Sequence, residues 1–312
     1  MELLKGRKGF MSGSEIANKL GISRSMVHKI IELLRSKGYI IESHPRRGYK
    51  LLFVDDLSLA GTYLSYLDTR IKYSVHYVRS CTSTQGIAKS LAELGAPEGL
   101  VVIAEEMSQG RGRLGRKWYA LKGGLWVSIL LRPKYLRALQ LLSLVSGLSV
   151  VKALSRMLSI SDVKLKWPND VLYDEKKLAG ILVEGSVEAD EVHYVIVGIG
   201  INVNNDVPKE IENLAISLKA MLGHEIPRVP LLRSLIKEFD TLYDELITGN
   251  TGKIINEWTR YSSTIGRKVK VITYGEVIEG IAKGLRSDGS LIVVDDYGKK
   301  RIVYAGDVIH LR

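Results

Sequence analysis

The sequence predicts an α+β fold made of three successive parts, and three patterns support that prediction. Near the N-terminus, two short amphipathic helical segments precede a basic hairpin. From about Gly61 onward, segments typical of strands and of helices are mixed. Residues 266–312 consist of short alternating segments separated by Gly, Asp and Ser turns, which is typical of strands. We therefore expect an N-terminal unit over residues 1–60, a central domain over 61–264 and a small β domain over 265–312.

Length and composition indicate a folded protein of a reducing compartment. With 312 residues, 46% of them hydrophobic, the chain can bury the cores of two or three domains. The longest apolar run, Ala138 to Val151, is shorter than the about 20 residues that span a bilayer, and no cleavable leader is evident. The single cysteine, Cys81, cannot form an internal disulfide. We expect a cytoplasmic protein with no membrane partner.

Positive charge is concentrated at one end of the chain. Residues 1–50 contain eleven Lys and Arg against four Glu, so they hold +7 of the formal net charge of +11. Such an asymmetry predicts an anionic partner for the N-terminal unit, and nucleic acid is the partner that it favours.

The first fifty residues have the pattern of a winged helix. Ser14 can cap a first helix that runs to about Leu20, and residues 21–23 form a tight turn. Two strands, YIIES and YKLLF, then surround the basic turn HPRRG. The second helix is predicted from apolar residues at i, i+3, i+4 and i+7, namely Val27, Ile30, Ile31 and Leu34.

The polar face of the second helix and the wing are the predicted DNA contacts. Their side chains can reach phosphates and base edges when the helix lies in a major groove. Two other interpretations stay open, a solvated basic helix face and a winged helix that contacts protein. The predicted operator-contacting residues are Ser23, Arg24, Ser25, His28, Lys29, Arg46 and Arg47.

The central domain contains a glycine loop, QGRGRLGRKW at residues 109–118, with the G-x-G-x-x-G spacing of dinucleotide-binding domains. A dinucleotide-binding loop is followed by a helix whose N-terminus meets the pyrophosphate. Here the loop is followed by the apolar run LWVSILL, which is typical of a strand. We therefore predict that the loop joins two strands and does not bind a dinucleotide in that manner.

The cations of this loop predict an anionic ligand. Arg111, Arg113, Arg116 and Lys117 repel one another unless an anion compensates their charge, and guanidinium groups pair with carboxylates and phosphates alike. The adjacent Trp118 is a candidate for stacking on adenine. A solvated basic surface loop is the alternative.

Two further segments carry polar residues at the ends of predicted strands. In KWPNDVLYDEKKLAGILVEG, a strand ends at Pro168, and a hairpin follows with Lys177 near its tip and Gly180 where another group can pack closely. In VHYVIVGIGINVN, a buried strand ends in glycines just before Asn202. Such strand ends are where enzymes of mixed architecture commonly place their sites.

Five motifs together resemble one family, the bifunctional biotin protein ligases that also repress the biotin operon. They are TSTQ at 82–85, GRGRLGRKW at 110–118, KWPND at 166–170, KKLAGILVE at 176–184 and GIGINV at 198–203. The resemblance runs from the winged helix-turn-helix to Arg312. It implies a central domain of the class II aminoacyl-tRNA-synthetase-like fold, with a mixed sheet, and a C-terminal SH3-like β-barrel.

The resemblance also implies which residues bind each substrate. The residues that it implies for biotin are Ser83, Thr84, Gln85, Met107, Arg111, Gly112, Arg113 and Lys177. Those that it implies for ATP and the adenylate are Arg116, Lys117, Trp118, Asn169, Asp170, Asn202 and Arg312. Lys177, Arg113 and Asp170 are the expected catalytic residues, and metal ligands stay unassigned.

The chain departs from the family pattern at two positions. Met107 stands where the family commonly has Gln, and Gln109 is a nearby polar residue that can take over its contact. Gln85 replaces a frequent Asn and keeps the same amide chemistry.

By resemblance, the protein forms biotinyl-5′-AMP from biotin and ATP with Mg²⁺, and then biotinylates a lysine of a biotin carboxyl-carrier domain. The adenylate would act as co-repressor for a homodimer on operator DNA. Two alternatives stay open, a lipoate ligase with the same adenylation chemistry and a ligand-sensing regulator with an inert catalytic half.

Overall fold

The computed structural model of the chain describes residues 3–4, 9–36, 39–133, 138–188 and 191–311. The N-terminal unit is a winged helix, as predicted, and Val27 and Ile31 of the second helix are buried against Ile16 and Ile41. Its elements are helices α1 (Gly13–Leu20) and α2 (Arg24–Ser36) and the antiparallel strands β1 (Tyr39–His44) and β2 (Gly48–Val54).

The first helix begins earlier than the sequence suggested. Ser12, and not Ser14, is the N-cap: its hydroxyl accepts a hydrogen bond of 3.1 Å from the Glu15 amide. Ser12 has the extended backbone of a cap, whereas Ser14 lies inside the first turn of α1.

The central domain is built on a seven-stranded mixed sheet in the order β3-β4-β5-β9-β8-β7-β6. Strands β3 and β4 are parallel, and all other neighbours in this sheet are antiparallel. Its strands are β3 (Ser74–Cys81), β4 (Leu100–Met107), β5 (Leu125–Leu131), β6 (Lys164–Lys166), β7 (Asp170–Tyr173), β8 (Lys176–Glu188) and β9 (Glu191–Ile201).

Helices cover both faces of this sheet. They are α3 (Ala60–Leu64), α4 (Thr84–Glu93), α5 (Ala138–Leu158), α6 (Leu218–Leu222), α7 (Arg228–Ile247) and α8 (Thr251–Tyr261). Strand β5 shows how the faces divide. Val127 and Ile129 point into the large core with α5 and α7, whereas Ser128 and Leu130 face α4. The alternation therefore places a hydroxyl, Ser128, beside the N-terminus of α4.

Helix α5 is longer than the apolar run noted in the sequence. The window Leu141–Leu158 is long and apolar enough to cross a membrane by length and composition alone, a test that core helices of folded proteins also pass. However, 67% of that window is buried inside the protein, where α5 packs against α7 and the sheet.

The C-terminal domain is a five-stranded antiparallel sheet in the order β13-β12-β11-β10-β14. Its strands are β10 (Lys268–Ile272), β11 (Val277–Leu285), β12 (Leu291–Val294), β13 (Lys300–Val303) and β14 (Asp307–His310). The Trp167 indole nitrogen of the central domain donates to the Gly289 carbonyl at 3.0 Å, so this domain is fixed against the central sheet.

A buried arginine marks the junction after the winged helix. Arg228, at the start of α7, is 5% exposed and pairs with Asp55 and Glu105, both at 2.8 Å. Leu57 and Ala60 are fully buried in the central core. The boundary expected at residue 60 therefore falls inside the packing of the central domain, and the winged helix ends with β2.

Candidate active site

One cavity of about 730 Å³ lies between the central sheet, the glycine loop and the C-terminal domain. Ser128, Asn205 and Asp307 also line it, although the sequence did not single them out, and so does Lys166, the first residue of the KWPND motif. Arg312 lies outside the described residues. The predicted ligand residues that line the cavity are Ser83, Thr84, Gln85, Met107, Arg111, Gly112, Arg113, Arg116, Lys117, Trp118, Asn169, Asp170, Lys177 and Asn202.

Met107 makes its own contact at the start of α4. Its sulfur lies 3.2 Å from the Thr84 amide nitrogen and 3.5 Å from the Thr84 hydroxyl oxygen, and it accepts from both. The hydroxyls of Thr84 and Ser128 are joined at 2.8 Å. Gln109 is exposed, and its replacement of the ligand contact of the usual Gln stays a prediction. A thioether, which is a weak acceptor, therefore stands where an amide was expected.

Gln85 is held by acceptors on β8. Its Nε2 lies 2.8 Å from a Glu184 carboxylate oxygen and 3.5 Å from the Leu182 carbonyl oxygen. The same Glu184 oxygen lies 3.3 Å from Nη2 of Arg111 in the glycine loop. Glu184 thus connects two predicted biotin-binding side chains.

The glycine loop is a short ribbon between β4 and β5. Met107 pairs with Ala120 and Arg111 with Lys117, and a tight turn at Arg113–Gly115 closes the ribbon. A Cβ at Gly110 would lie 2.5 Å from the Trp118 carbonyl oxygen, so only glycine allows this approach. The loop therefore joins two strands, as predicted.

The loop cations are bonded to the walls of the cavity. Arg116 pairs with Asp307 of the C-terminal domain. Arg113 lies 3.3 Å from the Gly306 carbonyl oxygen and 3.4 Å from Asn169 Oδ1, and burial lowers the pKa of its guanidinium. The Lys117 amine lies 4.3 Å from the centre of the Tyr119 ring. The C-terminal domain therefore positions the loop.

Trp118 lies over two glycines that face each other across strands β8 and β9. A Cβ at Gly180 would lie 3.0 Å from its indole ring, and one at Gly200 would lie 2.9 Å from it. The expectation that Gly180 admits a closely packed group is thus confirmed. The indole also meets the Trp126 ring edge to face at 6.1 Å, so its flat face is fixed in the cavity.

Lys177 and Asp170 form an ion pair of 2.6 Å at the end of the β7–β8 hairpin. The backbone of Lys177 is fixed by bonds to Leu214 and Ile216, and its amine lies 5.3 Å from the Trp118 ring centre. Lys166 is the register partner of Asp170, and burial lowers the pKa of its amine. One lysine therefore pairs with Asp170, and a second lies opposite it on the neighbouring strand.

Two asparagines are fixed by backbone and amide bonds at the ends of their strands. Asn169 donates to the Ile181 carbonyl at 2.8 Å. Asn202 is 5% exposed and accepts from Asn205 Nδ2 at 3.1 Å. Both are oriented before any ligand contact, and Asn205 is a supporting residue that no sequence motif indicated.

The predicted DNA contacts lie together on the winged helix. Ser23 caps α2 by accepting from the Met26 amide at 3.2 Å. The Arg47 guanidinium lies 4.3 Å above the Phe10 ring. Arg35, on the same helix, instead bonds the Ile41 carbonyl and ties α2 to the wing. The predicted contacts that are exposed are Ser23, Arg24, Ser25, His28, Lys29, Arg46 and Arg47.

Three family models match successive parts of the chain. An HTH domain model matches residues 1–50, the biotin/lipoate A/B protein ligase family model matches 77–202, and the biotin protein ligase C-terminal domain model matches 264–311. These ranges agree with the three parts of the fold.

Relatives match over nearly the whole length. The bifunctional ligase/repressor BirA of Bacillus subtilis (strain 168) is 35% identical, over 96% of this chain and 93% of the relative. The protein of the same name from Escherichia coli (strain K12) is 32% identical, over 92% and 89%. A solved structure, the biotin protein ligase from Aquifex aeolicus in complex with biotin and ATP, matches with a TM-score of 0.66 and 33% identity, over 77% of this chain and 100% of that one.

Proposed function

The chain belongs to the family of bifunctional biotin ligases and repressors, and we propose that it activates biotin with ATP, biotinylates a carrier domain and represses biotin genes. One observation carries the ligase proposal. Residues from five separate sequence motifs line a single cavity that is large enough for a nucleotide and a second small molecule.

The first reaction joins biotin to AMP. An oxygen of the biotin carboxylate attacks the α-phosphorus of ATP, the bond to the bridging oxygen breaks, and pyrophosphate leaves. Arg113, Arg116 and Lys177 lie where they can offset negative charge on the carboxylate and the reacting phosphate. Trp118 offers a flat face for adenine. Catalysis is then mostly positioning and electrostatic stabilisation.

Mg²⁺ is the metal that we propose for the nucleotide. Within the described ranges, no group of three or more His, Cys, Asp and Glu side chains could hold a metal ion. Nucleotide-bound Mg²⁺ is usually held by one or two carboxylates together with substrate phosphates and water. Asp170, on the cavity wall beside Lys177, fits that single-carboxylate role. The bound ion would supply further charge compensation on the phosphates.

The second reaction transfers biotin to a carrier. A deprotonated lysine amine of the biotin carboxyl-carrier domain attacks the carbonyl carbon of the adenylate, and AMP leaves. The glycine loop and strand β14 flank the cavity, where they can enclose the anhydride and shield it from water.

The repressor function uses the winged helix. Its predicted contact residues are exposed on α2 and the wing. We propose that the adenylate-bound protein forms a homodimer, because a two-fold dimer presents two winged helices to a palindromic operator.

Pyrophosphate release in the presence of biotin and ATP tests the ligase proposal, with mass spectrometry to identify biotinyl-5′-AMP. Labelled biotin and labelled lipoate, offered with a biotin carrier domain and a lipoyl domain, distinguish the two ligase classes. We expect transfer of biotin only. Transfer of lipoate instead, or no adenylate with either acid, would refute the proposal.

A further inference from the structure

Glu184 joins the pocket to the glycine loop through a single oxygen. Its Oε2 lies 2.8 Å from Gln85 Nε2 and 3.3 Å from Arg111 Nη2. Glu184 stands on β8, the strand that also carries Lys177. Neither the sequence motifs nor the proposed chemistry gave this carboxylate a role.

The neighbours of Gln85 allow its amide only one orientation. A carboxylate accepts hydrogen bonds and does not donate them, and the Leu182 carbonyl, 3.5 Å from Nε2, is also an acceptor. The NH₂ end of the amide must therefore face Glu184. Its carbonyl oxygen, Oε1, must point the other way.

That oxygen is left without a protein partner. Gln85 is 5% exposed, and among the residues that the structure describes, none hydrogen-bonds its Oε1. A Cβ at Gly198 would lie 3.2 Å from Oε1, so the amide rests on the backbone of β9. Gln85 and Gly198 both line the cavity. A buried acceptor of this kind is costly unless a ligand supplies a donor.

We propose that Glu184 is a positioning residue that holds the Gln85 amide with its oxygen toward biotin, where it accepts a hydrogen bond from a ureido N–H. This inference rests on the proposed function. The ureido ring of biotin has two N–H donors. If the Gln85 amide were turned round, its NH₂ group would face these donors and no hydrogen bond could form. Glu184 thereby favours an acid with a ureido ring over one without N–H donors.

The alternative is that Glu184 acts through the charge of Arg111 and the closure of the loop. Substitution with glutamine separates the two roles. In Glu184→Gln, both neighbours are donors, so the new amide turns its oxygen to them and still orients Gln85. The ion pair with Arg111 is lost in the same variant. Glu184→Leu removes both functions.

Calorimetric titration of the full chain with biotin alone measures these effects without turnover. We expect Glu184→Leu to weaken biotin binding about tenfold, and Glu184→Gln to weaken it by less than about threefold. Gln85→Leu should lose about as much as Glu184→Leu, and the double variant should lose no more than Gln85→Leu. Desthiobiotin, which keeps the ureido ring, should follow the same pattern. ATP binding should not change.

The matched control is Glu188→Leu, an exposed carboxylate on the same strand, which should bind biotin as the wild type does. Additive losses in the Gln85 and Glu184 double variant would overturn the inference. So would equal losses in Glu184→Gln and Glu184→Leu, which would assign the effect to Arg111. A Glu184→Leu variant with wild-type affinity would also overturn it. Failure of the wild type to bind biotin would instead refute the proposed function, and the inference with it.

Discussion

The cavity and the winged-helix surface use positive charge in opposite ways. Around the cavity, Lys177 pairs with Asp170, and Arg116 pairs with Asp307. On the winged helix, Arg24 is exposed, and nowhere in the described ranges does a carboxylate pair with it. A ligand entering the cavity meets cations that are already oriented by carboxylates. A nucleic acid meets cations that lie mainly in solvent. The affinity for DNA should therefore fall strongly as the salt concentration rises.

The largest expected effect is that of Lys177→Ala. Removing the amine leaves charge on the reacting carboxylate and phosphate uncompensated, and we expect adenylate formation to fall about 100-fold or more. The melting temperature should change little, because Lys177 is partly exposed. Pyrophosphate release measures the rate. Lys176→Ala is the control, since its amine bonds the Glu212 carbonyl away from Asp170. Unchanged pyrophosphate release in Lys177→Ala would show that the Lys177 amine has no role in adenylate formation.

The second largest effect is expected on DNA binding, when exposed cations of α2 are removed. We expect the double variant Arg24→Ala, Lys29→Ala to bind operator DNA at least tenfold more weakly, with ligase activity intact. The slope of log affinity against log salt should fall by about 0.9 for each DNA phosphate that the variant no longer neutralises. Fluorescence anisotropy across a salt series, with DNA from upstream of biotin genes, measures both. Lys19→Ala is the control, because Lys19 lies 3.6 Å from Glu15 on α1. A salt slope equal to that of the wild type would contradict the role of these cations.

A smaller effect is expected when the position of the Trp118 ring in the cavity is changed. Gly200→Ala places a methyl group 2.9 Å from the Trp118 indole, so the ring must move. We expect the KM for ATP to rise about tenfold, equivalent to about 1.4 kcal/mol, while the KM for biotin changes less. Gly284→Ala, where no atom lies within 4 Å of the new Cβ, is the control. If both variants have the same KM for ATP, Trp118 does not contact the nucleotide.

The smallest expected effect is on stability against pH. Burial lowers the pKa of His310, with Lys166 and Arg267 acting in the same direction and Glu175 opposing them. The unfolded chain therefore binds a proton at higher pH than the folded one, and stability is lost as pH falls from about 6.5 through the lowered pKa. His310→Asn should reduce this loss in thermal melts between pH 7.5 and 5. His224→Asn, at an exposed position, should not.

The sequence was informative where one motif supplies several contacts. The glycine loop, the KWPND segment and the β7–β8 hairpin were each placed correctly, because strand periodicity and turn residues are local signals. The common location of Ser83, Lys177 and Asn202 followed from the family resemblance, and their roles remain predictions.

The sequence was uninformative where a partner comes from a distant segment. Asp307 and Arg228 reach their partners only after distant segments pack, and no local pattern distinguishes them from ordinary surface charges. Glu184 ends the KKLAGILVE motif, but the motif does not reveal its contacts with Gln85 and Arg111. The Ser12 cap was missed because two serines flank the same helix start, and backbone geometry decides between them.

The buried pairing of Arg228 sets a rule for exchanging DNA-binding modules between relatives. Asp55 follows β2 directly, and it receives both the backbone amide and the guanidinium of Arg228. In a chimera joined at residue 60 without an equivalent aspartate, Arg228 would keep only one of its two carboxylate partners, Glu105. Loss of a sole partner costs a buried charge about 3–5 kcal/mol, and the remaining pair with Glu105 would offset part of that cost. A join before Asp55 keeps both carboxylate partners of Arg228. The segment to be transferred with the catalytic domain therefore begins at Asp55.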